Sequence, residues 1–201
     1  MLTDEPSRRA ARAAPFDPVS PLFRAQDLRP AGFGDVDVAE LSAFQRALLA
    51  IDGTVTTFLT AWASEPIVVT PVAQQIVAAP ANPWLQSTAA TPLIERSVML
   101  LGGQTGRLYA YAVSMICFER LSAAHRDGLM AGRFSIGQLL LTPGFESRRE
   151  CLWYGRDRQA VLPPEVAARS EPDFLARTYR VTSAAQPLML ITERFPWTLR
   201  G

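Results

Sequence analysis

Residues 187–195 place a carboxylate in a row of side chains that otherwise belongs in a protein core. They read Pro-Leu-Met-Leu-Ile-Thr-Glu-Arg-Phe, a composition suited to a strand. Residues two apart in a strand share a face. Met189, Ile191, Glu193 and Phe195 therefore look one way, and Leu188, Leu190, Thr192 and Arg194 the other. A carboxylate on a core-facing row is costly unless it is paired or protonated. The same conflict arises earlier, where Ile94, Arg96, Val98 and Leu100 share a face and Glu95, Ser97 and Met99 look away. A guanidinium keeps its charge, so Arg96 needs an anionic partner, a ligand or water. Two readings stay open: a plain Arg96–Glu193 ion pair, or a polar pocket with apolar walls, the usual form of a small-molecule site.

The rest of the chain supplies the frame for these strands. Leu41, Phe44, Leu48 and Leu49 recur at helical spacing after a cap at Asp37, and Asp52-Gly53 ends that helix. A second short helix begins at Thr54 and carries Phe58, Leu59 and Trp62. Residues 66–77 are β-branched and suit a strand, and 80–90 form a Pro/Asn/Ser loop. Residues 92–101 and 107–118 flank Gly102-Gly103-Gln-Thr-Gly106 as a hairpin. A helix is expected over 121–131, ended by Gly132, then a short apolar stretch over 135–141 and a strand over 147–154. The polar segment 156–172 suits a lid with one helical turn. Residues 177–182 and 187–195 make a last hairpin about Ser183-Ala-Ala-Gln186. Adjacent hairpins imply an antiparallel sheet with helices over one face, a single α+β domain of residues 37–201. Residues 1–36, rich in Pro, Arg and Ala, read as a flexible arm with packed contacts about Phe16 and Phe23.

Composition narrows the chemistry. At 201 residues and 48% hydrophobic the chain can bury one large core, and a net charge of +1 offers no broad field for nucleic acid or a membrane surface. No run reaches the length of a membrane span, and the amino terminus lacks the apolar stretch of a secretory signal, so a cytoplasmic protein is expected. Cys117 and Cys151 lie far apart among apolar residues and suit buried thiols rather than a disulfide or zinc site. His125 is the only histidine, so a His-rich metal centre is not expected. Any acid–base work would fall to carboxylates and any anion binding to arginines. Arg177, in Phe174-Leu-Ala-Arg-Thr-Tyr-Arg-Val, leads into the closing hairpin, and Ser135-Ile136-Gly137 can present free N–H groups at a helix start.

Four segments carry a resemblance. They are Ile51-Asp-Gly-Thr-Val-Thr, Leu93-Ile-Glu-Arg-Ser-Val-Met-Leu, Phe134-Ser-Ile-Gly-Gln-Leu-Leu, and Ala176-Arg-Thr-Tyr-Arg-Val followed by Gln186-Pro-Leu-Met-Leu-Ile-Thr-Glu-Arg-Phe. In order and spacing the chain resembles the bacterial chorismate pyruvate-lyases, including the actinobacterial 4-hydroxybenzoate synthase branch, over residues 48–195. That resemblance implies one α+β domain whose ligand lies in a buried pocket beneath helical flaps. It implies that Arg96 binds a ligand carboxylate and that Glu193 sits near the ring hydroxyl. Ile136 and Gly137 would give backbone contacts, and Arg177 would be the second arginine, toward the enolpyruvyl carboxylate. The chain departs from the family where Ser135-Ile136-Gly137 replaces a common Pro-Leu-Gly, and in Arg194.

The resemblance further implies elimination of pyruvate from chorismate to give 4-hydroxybenzoate, with no cofactor and no metal. The partner would be a small chorismate-like dicarboxylate, with neither nucleic acid nor membrane, and the protein a monomer or homodimer. Two alternatives share the pocket: another lyase or ring-forming enzyme of specialised metabolism, and a non-catalytic sensor of small acids. The effector domains of GntR-type repressors have this fold but follow a winged helix, for which residues 1–40 are too short and too rich in proline. Fold alone does not choose among these.

Overall fold

Seven strands pair antiparallel throughout: β1 (Phe33–Gly34), β2 (Ile67–Ala78), β3 (Pro92–Gly102), β4 (Leu108–Cys117), β5 (Arg148–Arg158), β6 (Asp173–Ser183) and β7 (Gln186–Pro196). They form one sheet in the order β1-β5-β6-β7-β4-β3-β2. The computed structural model describes residues 16–159 and 161–201. The expected α+β class holds, and the strands run longer than expected. The strand begun at 148 continues to Arg158, and the closing hairpin begins at Asp173 rather than Arg177. The expected lid shrinks accordingly to a loop with one helical turn, α5 (Pro164–Ala167).

Helices α1 (Ala43–Ala50), α2 (Val55–Ala63), α3 (Ala123–Met130) and α4 (Ile136–Leu140) pack on one sheet face. The single helix expected after Asp37 is split. Asp37 caps only a 3-10 turn, Val38–Glu40, and Ser42 starts α1 afresh with a full capping box to Gln45. Phe44, Leu48, Val55 and Leu59 from α1 and α2 meet Leu100, Ala110 and Phe195 of the sheet. Leu129 and Leu139 from α3 and α4 meet Ile94, Ile116, Met189 and Ile191. The apolar stretch at 135–141 is thus α4, capped by Ser135 and Gln138. The opposite face is covered by irregular chain: Leu85 packs on Leu93 and Cys117, and Val166 of α5 packs with Met99, Tyr111 and Phe174.

Residues 1–15 of the expected arm lie outside the described residues. Residues 16–36 are docked rather than free. Val19 and Phe23 are buried in one cluster with Tyr154 and Leu175, whereas Phe16 is 90% exposed. Phe33 and Gly34 pair with Asp157 and Arg156. Gly155 permits this approach, since a side chain there would run into the Gly34 carbonyl oxygen. Among the described residues, no helix is long and apolar enough to cross a membrane.

One connection shapes the site. β4 lies beside β7, but β5 lies two strands further on. Residues 118–147 bridge that gap with α3 and α4, and so lie across the face that carries Arg96 and Glu193. At the other end of β3, Glu65 fixes the hairpin turn. Its carboxylate accepts the Tyr109 hydroxyl at 2.7 Å, the Thr105 hydroxyl at 2.8 Å, and the N–H groups of Gln104 and Thr105 at 2.9 and 3.0 Å. Gly102 leaves the room that this carboxylate occupies.

The Tyr109 hydroxyl, helped by the turn N–H groups, holds Glu65 down at about 2, from an ordinary value of 4.5. A depressed carboxylate adds stability that is fully present above the unfolded value and lost as pH falls through the folded one. Urea midpoints should therefore drop for the wild type between about pH 4.5 and 2. Glu65→Gln should start lower and lose less over that interval. Parallel curves for the two proteins would contradict the assignment.

Candidate active site

The two charged rows read from the sequence face the same cavity. Register pairs Arg96 with Ser114 and Ser114 with Ile191, while Val98, Ala112 and Glu193 form the neighbouring row. Arg96 and Glu193 are thus two strands and one row apart, about 12 Å between Cα atoms in an ideal sheet. Between them lies a cavity. The sheet supplies one wall, and the first turn of α2 and the start of α4 supply the other. A second space adjoins it, with Arg96, Ser135 and Gly137 in both walls and Arg133 and Gln138 in its own.

Arg96 and Glu193 do not pair with each other. Arg96 is 5% exposed, and its Nη1 donates to the Gln74 side-chain oxygen and, at 3.4 Å, to the Leu129 carbonyl. Gln74 is its direct neighbour on β2 and in turn donates to the Leu129 and Met130 carbonyls, at 3.4 and 3.3 Å. No carboxylate among the described residues lies within ion-pair distance of Arg96. Burial alone pushes its pKa down. A buried guanidinium held only by neutral acceptors has a charge that no group of the described chain balances.

Glu193 has its partners behind it. Arg177, its register neighbour on β6, donates from Nε to Oε2 at 2.8 Å, and the Tyr179 hydroxyl donates to Oε1 at 3.0 Å. Nη1 of Arg177 also donates to the Leu49 and Ile51 carbonyls at 3.2 and 2.7 Å, at the C-terminal end of α1. Arg177 is 2% exposed and is no part of the cavity wall. Arg177, expected at a second ligand carboxylate, lies behind the cavity wall and bonds Glu193 and the end of α1. Burial acts to lower the Arg177 pKa, but the charge and hydrogen bond of Glu193, with Tyr179 and Cys151, together outweigh it and the net direction is upward. Burial, then the Glu193 charge, raises the Tyr179 phenol well above 10, so it stays a proton donor to the carboxylate.

Ile136 and Gly137 line the cavity as the first two residues of α4. The cap satisfies the Gln138 N–H through Ser135, and the first N–H groups of a helix have no partner inside it. A methyl at Gly137 would meet only Ser135 and Thr54 at 3.8 Å, so packing within the chain does not demand glycine there.

Two parts of the wall are given no site role by the sequence, although residues 51–56 belong to a segment that carries the resemblance. The first turn of α2 contributes Thr54, Val55 and Thr56, and Arg149 enters from β5. Strand alternation does hold a signal for Arg149, which shares its row with apolar Cys151 ahead of the bulge that interrupts β5. The pair Arg148-Arg149 at a strand start otherwise looks like a solvated end.

Comparison with known proteins gives a consistent result. A family model described as "Chorismate pyruvate-lyase Rv2949c-like" matches residues 49–201. A chorismate pyruvate-lyase of Mycobacterium leprae (strain TN) is 29% identical over 166 residues, 79% of this chain and 77% of that protein. One of Mycobacterium tuberculosis (strain CDC 1551 / Oshkosh) is 29% identical over 167 residues, 80% of this chain and 83% of that protein. Among solved structures, a putative regulator from Escherichia coli CFT073 superposes with a TM-score of 0.49 at 14% identity, over 67% of this chain and 96% of that one. A likeness of that degree bears on neither ligand nor activity.

Removing one member of a buried ion pair strands the other, at about 3–5 kcal/mol. Arg177→Met should lower unfolding free energy in urea by about that amount. Arg177→Met with Glu193→Gln should recover much of it, because no uncompensated charge stays behind. A loss of well under 1 kcal/mol for Arg177→Met would show that the pair does not hold the site together.

Proposed function

The chain belongs to the Rv2949c-like chorismate pyruvate-lyase family, and from that premise we propose that it converts chorismate to 4-hydroxybenzoate and pyruvate without a cofactor. The observation that carries this reading is Arg96: a buried guanidinium on the cavity wall with no carboxylate of its own. Two curated relatives named chorismate pyruvate-lyase support the substrate.

Chorismate carries a ring carboxylate, a hydroxyl on the opposite ring carbon, and an enolpyruvyl ether beside that hydroxyl. Arg96 takes the ring carboxylate through charge-assisted hydrogen bonds, displacing the neutral acceptor Gln74 from part of its guanidinium. The N–H groups of Ile136 and Gly137 close on the bound ligand from α4. Glu193, on the wall toward the sheet centre, meets the hydroxyl end. Arg177 and Tyr179 fix the aim of its carboxylate from behind.

The reaction needs bond orientation and proton movement. The ring carbon–ether oxygen bond breaks, and its electron pair leaves with enolpyruvate. The hydrogen on the hydroxyl-bearing carbon departs as a proton, and its bonding pair completes the aromatic ring. Enolpyruvate gains a proton at its methylene carbon and becomes pyruvate. Atoms and electrons balance within the substrate, and aromatisation supplies the driving force. Glu193 serves as the acid–base group at the hydroxyl end, and the apolar walls from Val98, Leu100 and Ile191 exclude water from the reacting ring. Holding the ether in the reactive conformer is the remaining contribution.

Pyruvate release from chorismate, followed with lactate dehydrogenase and NADH, tests the proposal, with 4-hydroxybenzoate identified by mass. Arg96→Ala should lower kcat/KM by at least about 100-fold, since a desolvated charged contact is lost. Glu193→Gln should lower kcat strongly; it costs stability by leaving the Arg177 charge unbalanced, and a urea midpoint checks that the variant is folded in the assay. Full activity in either variant, or an aromatic product other than 4-hydroxybenzoate, would refute the assignment.

A further inference from the structure

With Arg177 engaged beneath the site, a different residue is left to receive a second ligand anion. We propose that Arg149 is the second anion anchor of the cavity, and that it distinguishes a dianionic substrate from the monoanionic ring product. This rests on the lyase reading above and extends it to a residue beyond Arg96 and Glu193.

Three observations place Arg149 in that role. It lines the same cavity as Arg96 and Glu193, from β5. Its Nη1 donates to the Asp52 main-chain carbonyl, which positions the side chain without neutralising it. Its Nε is buried with no hydrogen-bond partner, and no carboxylate among the described residues lies within ion-pair distance. A buried N–H without an acceptor is unfavourable, and a bound anion would remove that penalty.

Placement across the sheet fits a ligand charged at both ends. Arg149 aligns with Val181 and Met189, while Arg96 aligns with Ser114 and Ile191. The two arginines are four strands and one row apart, about 20 Å between Cα atoms in an ideal sheet. Both side chains line the same cavity, so the span open to a ligand is shorter than the Cα separation. Glu193 is on a strand between theirs, one row beyond Arg96 on the side away from Arg149, and its charge is already balanced by Arg177. The cavity therefore holds two uncompensated guanidinium charges, at Arg96 and Arg149. A dianion neutralises both. Bond cleavage then divides the dianion into two monoanions, the ring acid on Arg96 and the three-carbon acid on Arg149. Neither product can span the site, so each is held by one arginine and leaves more readily than the substrate would.

The experiment separates the two ligand classes. Arg149→Gln and Arg149→Lys are compared with the wild type and with Arg148→Gln, an exposed neighbour outside the cavity. Steady-state pyruvate release from chorismate is measured beside the Kd of 4-hydroxybenzoate by titration calorimetry. Arg149→Gln should lower kcat/KM by about 10-fold or more, the worth of one charge-assisted contact. Its Kd for 4-hydroxybenzoate should stay within about 3-fold of the wild type. Arg149→Lys should recover part of the loss, and Arg148→Gln should match the wild type. Unchanged kcat/KM in Arg149→Gln, or equal weakening toward chorismate and 4-hydroxybenzoate, would overturn the proposal. Failure of the lyase reading itself would show in the wild type, as binding without pyruvate release. Chorismate and 4-hydroxybenzoate affinities of Arg149→Gln then decide the role of Arg149 independently of turnover.

Discussion

The buried pair of Arg177 and Glu193 is the contact on which the arrangement depends. One guanidinium ties three parts of the fold together: from its own place on β6 it donates to the Glu193 carboxylate of β7 and to the C-terminal carbonyls of α1. Those carbonyls need donors at a buried helix end, and Glu193 needs a counter-charge in an apolar row. A single side chain answers both demands. Because α1 is fixed by it, so is the turn at Asp52 and Gly53 that leads into α2, whose first residues line the cavity. The pair therefore sets the floor of the site and one of its walls together.

Arg96 is treated in the opposite manner. The chain surrounds it with Gln74 and the carbonyls at the end of α3, all neutral acceptors that a ligand can replace. The C-terminal end of a helix also carries partial negative charge, which favours a cation there. These contacts make an empty site tolerable without supplying a full counter-ion. A carboxylate placed against Arg96 would stabilise the protein but close the site to its ligand, as Glu193 would if the two rows met.

Alternation in the sequence is enough to put Arg96 and Glu193 each on a core-facing row, and the two rows do share one face of the sheet. What alternation cannot supply is register. The Ser183–Gln186 turn has Ala184 and Ala185 at positive φ, the pattern of a two-residue hairpin loop. Continued without interruption, that turn would set Arg177 opposite Thr192. One extra residue at a bulge between Thr182 and Val181 moves Arg177 opposite Glu193 and onto its face. A one-residue slip exchanges the two faces of a strand, so no reading of Arg177 by spacing alone can tell ligand contact from support. Arg149 is obscured for a related reason. Its row includes Cys151, but a second bulge beyond Cys151 puts Trp153 on the other face, and the apolar run loses its regular period. The split of the helix after Asp37 is hidden by the continuous apolar spacing through Leu41 and Phe44; only the Ser42–Gln45 box marks the restart.

The division of labour among the arginines follows from how many hydrogen bonds each has already committed. Arg177 commits Nε and Nη1 to the chain and is absent from the cavity wall. Arg96 and Arg149 line the cavity, hold neutral acceptors, and lack a carboxylate among the described residues. For a reaction whose barrier is met by conformer and proton placement, binding energy at two distant anions is useful because only the intact substrate realises both. Once the ether bond is broken, the tether between the anions is gone, and their joint hold becomes two separate, weaker ones. A site built from two unpaired cations at opposite ends thus favours the joined dianion over its fragments, by charge placement alone.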